Sequence, residues 1–166
     1  SVLIESVLAI RQQLLSNGEL PKRKAIILKE EASKLYDVPK SWIWTHFDMI
    51  ANIVGGVTKG RKLQGRKTEW FPYLRVANVQ RSNLDLRVMK EIEIPVDELE
   101  KYRLQKRDLL LTEGGDWDKL GRTAIWQGEI ENCLHQNHIF RARPLNNIIQ
   151  SRWIMLFTNS PSGCGY

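Results

Sequence analysis

Cysteine is nearly absent: two residues, Cys133 and Cys164, stand in a chain of 166. They are too few for a disulfide framework and lack C-x-x-C spacing, which predicts free thiols in a reducing compartment. No apolar run approaches the ~18–20 residues that cross a bilayer, and no succession of basic, apolar and small residues marks a signal peptide. A cytoplasmic protein is expected. Acidic residues are in deficit, 19 Asp and Glu against 25 Lys and Arg, so the formal charge is +6 and the pI about 9.4. That balance favours a polyanionic partner. Repeats and low-complexity segments are also missing, while 42% hydrophobic residues suffice for one domain's core plus an appendage.

Catalytic signatures are lacking too. A nuclease of the common restriction type needs a carboxylate with a Glu-x-Lys or Asp-x-Lys pair to hold a metal and orient water, and no acidic residue here is followed two positions later by lysine. The glycine-rich cofactor turn and Asn-Pro-Pro-Tyr loop of a DNA methyltransferase are absent. Asp116 and Asp118 have no third carboxylate and suit loop capping better than a hard cation. Cys133, His135 and His138 suggest zinc, but a structural site needs four ligands and Cys164 and His46 are distant in sequence. The chain is therefore expected to have no catalytic, cofactor or metal site of its own.

What is present centres on Asp108 to Arg143. Strand-like runs at Leu109 to Thr112 and Thr123 to Trp126 bracket a loop with Gly114, Gly115, Gly121 and the cations Lys119 and Arg122. Adjacent glycines suit a backbone that approaches a ligand closely. A polar cluster, His135, Gln136 and Asn137, precedes a third strand-like run, His138 to Arg143.

Upstream, Leu3, Val7, Ile10 and Leu14 alternate by four and three, widened by Leu8 and Leu15, which predicts a helix that stops at Asn17 and Gly18. Lys22 to Lys40 reads as a basic linker with room for a short helix. Trp42 to Phe47 is expected as a strand, and Phe47, Ile50, Ala51 and Val54 as a helix ending at Gly55. Gly55 to Thr68 follows with Lys59, Arg61, Lys62, Arg66 and Lys67, four glycines and no acid. Such a loop fits a phosphate-tracking arm. Strands are predicted at Tyr73 to Val76, Leu84 to Val88 and Ile92 to Ile94. Between the first two lie Asn78, Gln80, Arg81 and Asn83, side chains able to make paired hydrogen bonds to purine edges. Asp97 is a candidate N-cap for a helix through Tyr102, and Asn147 to Asn159 reads as a helix closed by Pro161 and Gly163. Trp70, Phe71 and Trp117 are expected to anchor the loops from beneath.

With Pro39 to Trp44 (PKSWIW), Gly55 to Thr58 (GGVT) and Tyr73 to Gln80 (YLRVANVQ), the stretch from Asp108 resembles a target recognition domain of the specificity subunit of type I restriction-modification systems. The resemblance rests on the order and spacing of separate segments and covers roughly Val38 to Tyr166. It departs at Arg107, where the family usually has glycine, so a different turn into the following strand is expected. The resemblance implies a spacer-like helix and basic linker over residues 1–37 and a recognition domain over 38–166. The start at Ser1 and the end after a Gly-rich tail are expected of a piece of something longer.

The fold expected is α+β: a twisted, mainly antiparallel sheet, short helices, Gly-rich DNA-facing loops and the N-terminal spacer helix. The expected function is sequence-specific binding of double-stranded DNA as one half-site reader. The resemblance implies that methyltransferase and restriction subunits are the partners and that S-adenosylmethionine, magnesium and ATP serve those subunits. Lys59, Arg61, Lys62, Arg66 and Lys67 are expected on phosphates, Arg75, Asn78, Gln80 and Arg81 on bases, and Lys119 and Arg122 on the backbone from the glycine loop. Two other classes fit the composition: a protein-interaction module using the Leu3 stripe, and an RNA-binding domain.

Overall fold

The structure, a computed structural model, describes residues 2–20, 37–63, 65–114 and 119–164. In chain order the elements are α1 (Val2–Ser16), α2 (Phe47–Ile50), β1 (Ala51–Gly55), β2 (Thr68–Leu74), β3 (Lys90–Pro95), α3 (Leu99–Tyr102), β4 (Leu109–Thr112), β5 (Thr123–Ile125), β6 (Leu134–His135), β7 (Ile139–Pro144), α4 (Ser151–Thr158) and α5 (Pro161–Cys164). The class is α+β. Two sheets replace the expected single one, with strand orders β1-β7-β4-β5 and β3-β2-β6. The β4–β5, β4–β7 and β2–β3 pairs are antiparallel, and β2–β6 is a short parallel pair. Two compact units are present, Ser1–Asn52 with Pro144–Ile149, and Ile53–Arg143 with Gln150–Tyr166.

In the first unit, α1 buries Val7 and ends where its sequence predicts. Gly18 adopts φ +74, its N–H donates to Leu15 O, and Glu19 N–H donates to Leu14 O at 2.9 Å. This left-handed cap satisfies carbonyls that the last turn would leave unpaired. The strand expected over Trp42 to Phe47 does not form: Trp42 and Ile43 are exposed, and Trp42 N–H closes a turn onto Pro39 O. β-propensity without a neighbouring strand makes no ladder. The helix expected from Phe47 lasts one turn and then becomes β1, a neighbour of β7. The possible helix in the basic linker lies largely outside the described residues.

The second unit has two core clusters. One gathers Leu74, Val79, Leu104, Leu110, Trp126 and Ile139, and the other Val57, Phe71, Tyr73, Ile92, Ile94 and Leu134. Strand period two explains the second: Phe71 and Tyr73 point inward, whereas Trp70, one residue before Phe71 and so on the opposite face, is 63% exposed and is no anchor. Trp117 lies outside the described residues. Leu84 to Val88 forms no strand, only a bridge between Leu84 and Val79. Its backbone is held by a side chain instead, Asn78 Nδ2 donating to Asp85 O (2.8 Å) and Val88 O (3.2 Å). The expected C-terminal helix starts late because Asn146 Oδ1 accepts the N–H groups of Ile148 and Ile149, a local turn that competes with helix. Pro161 opens a further helical turn rather than merely closing the chain.

Arg107 makes a left-handed turn into β4. Its φ is +78, its N–H donates to Trp126 O, and its carbonyl accepts from Ser151 Oγ at 2.7 Å. The left-handed backbone costs a residue with a Cβ about 1–2 kcal/mol, and these bonds hold it there.

Gly56 explains why GGVT and the His135 to Asn137 cluster occur together. A Cβ on Gly56 would lie 2.1 Å from His135 O and 2.4 Å from Gln136 O, while Val57 N–H donates to His135 O (2.7 Å) and Asn137 N–H to Val57 O (3.0 Å). The two segments are joined backbone to backbone. Gly56→Ala is expected to lower stability by about 1–3 kcal/mol or more, since backbone must move to admit the methyl group. Gly55→Ala, with nothing within 4 Å of its Cβ, is the matched control in thermal melting. Equal melting temperatures for the two variants would refute the close approach.

Candidate nucleic-acid interface

The basic loop lacks acids in sequence, yet the fold supplies them. Arg61 pairs with Glu98 at 2.8 Å, and Arg66 reaches both Glu98 and Asp97 at 2.6 Å. Burial alone would raise the Glu98 carboxyl, but the two guanidinium groups hold it below its ordinary range. Arg66 is raised by the same hydrogen bonds. Asp97 thus serves this network, and the brief helix it was expected to cap has no side-chain cap bond. Lys59, Lys62 and Lys67 are exposed, Lys67 lying 4.0 Å from Glu69. Of the five cations, two arginines brace the loop and the lysines face solvent.

The four residues expected to read bases have different fates. Asn78 is buried, accepting Arg75 N–H on Oδ1 (2.9 Å) and donating to Asp85 O and Val88 O. Its amide organises a turn and is not offered to a ligand. Arg75 donates to Val88 O at 3.0 Å and belongs to the same turn. Gln80 and Arg81 occupy the tip, Arg81 exposed. Ser82 adopts φ +66, its N–H donating to Thr123 O at 2.9 Å, and Gln80 N–H donates to Asn83 O at 3.0 Å.

This tip meets the glycine loop. Arg122 Nη1 donates to Gln80 Oε1 at 2.8 Å, and Gln80 Nε2 donates to Ala77 O at 2.9 Å. Asn159, at the end of α4, staples the junction: its Oδ1 accepts Thr123 N–H (3.1 Å), and its Nδ2 donates to Thr123 O (2.7 Å) and Ser82 Oγ (3.2 Å). Within the loop, Thr112 Oγ1 donates to Lys119 O (2.6 Å) and accepts Arg122 N–H (3.0 Å). Gly121, at φ +68, returns its N–H to Thr112 O. Residues 115–118, with Asp116 and Asp118, lie outside the described residues. The structure therefore brings Gln80, Arg81, Lys119 and Arg122 to one junction. The Arg61–Arg66–Glu98 network lies beyond the other end of β2, a strand roughly 20 Å long at ~3.3 Å per residue.

Asp108 and His135 are two of the buried polar residues of the second unit. Asp108 accepts Arg143 Nε on Oδ1 and Arg143 Nη2 on Oδ2, both at 2.8 Å, and Gln105 N–H on Oδ2 at 2.7 Å. His135 Nδ1 lies 2.9 Å from Ile139 O, consistent with a hydrogen-bonded structural role. The Cys133 thiol is pushed up to about 12, chiefly by burial. Among the described residues no group of three or more His, Cys, Asp or Glu is arranged to hold a metal. Nor, among them, is any helix long and apolar enough to cross a membrane.

No family model matches the chain. A curated putative type I restriction enzyme MjaX specificity subunit from Methanocaldococcus jannaschii is 26% identical over 132 residues, covering 76% of this chain and 30% of the relative. The type I restriction enzyme EcoEI specificity subunit of Escherichia coli is 23% identical over 163 residues, 96% of this chain and 27% of the relative. The chain is similar to type I restriction specificity subunits. It spans less than a third of the length of either relative. The resemblance read from PKSWIW, GGVT, YLRVANVQ and the stretch from Asp108 thus agrees with both comparisons.

Proposed function

We propose that this chain is a target recognition domain that binds double-stranded DNA sequence-specifically, reading one half-site for a type I specificity subunit. The observation that carries the reading is the junction of Gln80, Arg81, Lys119 and Arg122, which two loops distant in sequence form in a chain similar to specificity subunits. Exposed Lys59 and Lys62 add sequence-independent attraction to phosphates. On this reading the chain is not an enzyme. Methylation and cleavage belong to partner methyltransferase and restriction subunits, with S-adenosylmethionine, magnesium and ATP serving those partners.

Duplex binding by the purified chain should be weak and salt-sensitive, because one half-site offers few contacts and counterion release dominates. Lys59→Ala with Lys62→Ala is expected to weaken cognate and random duplexes by similar factors. It should also flatten the slope of log affinity against log salt by about 1 per phosphate-contacting lysine. Fluorescence anisotropy at several salt concentrations measures both. An unchanged slope would remove the lysines from the interface, and preferential binding of single-stranded RNA would favour the RNA-binding class instead.

A further inference from the structure

Resting on the DNA-binding reading above, we propose that Gln80 is a positioning residue and that Arg122 is the base-reading group it positions, with guanine as the base. An amide reads adenine through both of its polar atoms, one donating and one accepting. Both atoms of Gln80 are engaged within the chain, Nε2 with Ala77 O at 2.9 Å and Oε1 with Arg122 Nη1 at 2.8 Å. Turning Gln80 toward a base would break both bonds and release Arg122. Arg122, in contrast, follows Gly121 directly, and its backbone is fixed on both sides. Its N–H donates to Thr112 Oγ1 at 3.0 Å, its carbonyl accepts Thr112 N–H at 3.0 Å, and the next residue is buried Thr123, pinned by Asn159. A guanidinium held at its root by the strand and at one tip nitrogen by an amide has lost most of its rotamer freedom before any ligand arrives. Pre-organisation of that kind is what a fork needs to meet the O6 and N7 of guanine in a fixed register.

The bond also couples the two loops. Gln80 belongs to the turn after Val79 and Arg122 to the loop after Thr112, and Ser82 and Asn159 tie the same turn to Thr123. The tip carrying Arg81 and the loop carrying Lys119 therefore form one surface.

A double-mutant cycle on Gln80 and Arg122 tests the assignment. It reads the ratio of cognate to scrambled duplex affinity in the assembled complex, the target being defined by methylome sequencing. Arg122→Ala should lower that ratio roughly 5- to 150-fold and relax a single G·C position. Gln80→Ala should lower it less, and the double variant should match Arg122→Ala alone, because Gln80 acts only through Arg122. Gln80→Glu keeps an acceptor for Arg122 and should retain more of the ratio than Gln80→Ala; its added charge weakens both duplexes alike and cancels. A loss of fold would lower both affinities together, which melting of each variant detects. Additive losses in the double variant, or Gln80→Glu as damaging to the ratio as Gln80→Ala, would make Gln80 a reader in its own right and overturn the assignment. Absence of duplex binding by the unsubstituted complex would instead overturn the DNA-binding reading, and this assignment with it.

Discussion

Asp108→Ala is expected to destabilise the second unit by about 3–5 kcal/mol, the usual cost of removing one partner from a buried, hydrogen-bonded ion pair. Asp108 is 0% exposed and accepts a fork from Arg143 together with Gln105 N–H. Its removal leaves Gln105 N–H without its acceptor and takes the carboxylate fork from Arg143, whose Nη2 still donates to Arg103 O at 3.1 Å. The side chain of Arg143 is 27% exposed, so water relieves part of the penalty and the lower end of the range is the better expectation. The damage is not local. Asp108 O accepts Trp126 N–H, Arg107 N–H returns to Trp126 O, and Ser151 Oγ holds Arg107 O, so one turn joins β4 to the end of β5, to β7 and to α4. Denaturant unfolding of Asp108→Ala and Asp108→Asn checks this. Asn retains an acceptor for Gln105 or Arg143 and should fall between wild type and Ala. A loss below about 1 kcal/mol in Asp108→Ala, typical of exposed pairs, would show that the pair is solvated.

Stability is also expected to fall by about 3 kcal/mol in total between pH 6.5 and pH 4 through His135 alone, at 1.36 kcal/mol per unit of displaced pKa. Burial lowers this imidazole from 6.5 to about 4. The Ile139 carbonyl opposes the shift, Arg141 and Arg143 add to it, and Asp108 offsets part of it. In the unfolded chain His135 takes a proton as pH falls through about 6.5, whereas in the folded chain it resists until about 4. Acid therefore favours the unfolded state across that window. Asp85 acts at lower pH: its hydrogen bonds to Arg87 hold it at about 2, so its contribution is present above its ordinary 3.8 and is lost as pH falls through 2. Urea midpoints from pH 7 to 4.5 for wild type and His135→Gln separate the two groups. The glutamine variant should show a flatter profile in that interval. Parallel profiles would mean that His135 titrates alike in the folded and unfolded states, against the burial argument.

Local pattern by itself determined much of this protein. The four-three alternation with Asn17 and Gly18 marked α1 and its end, and the apolar runs after Asp108, after Arg122 and before Pro144 marked β4, β5 and β7. These features are set by periodicity and by the φ preference of glycine, which neighbours in sequence carry. The basic loop and the turn with Gln80 and Arg81 were visible as chemistry for the same reason. Tertiary structure decided which of those side chains remain available. Asp97 and Glu98 reach back to Arg66 across a sequence gap that no local rule spans, and Asn78 turns inward to replace a ladder that Leu84 to Val88 never forms. Gly56 is required because His135 and Gln136 arrive against it, a fact held in the pairing of distant segments. Arg122 meets Gln80 because β5 begins beside the turn that Ser82 and Asn159 hold. Side-chain availability is a property of three-dimensional neighbours: both polar atoms of the Asn78 amide are satisfied within the chain and are not offered to a ligand.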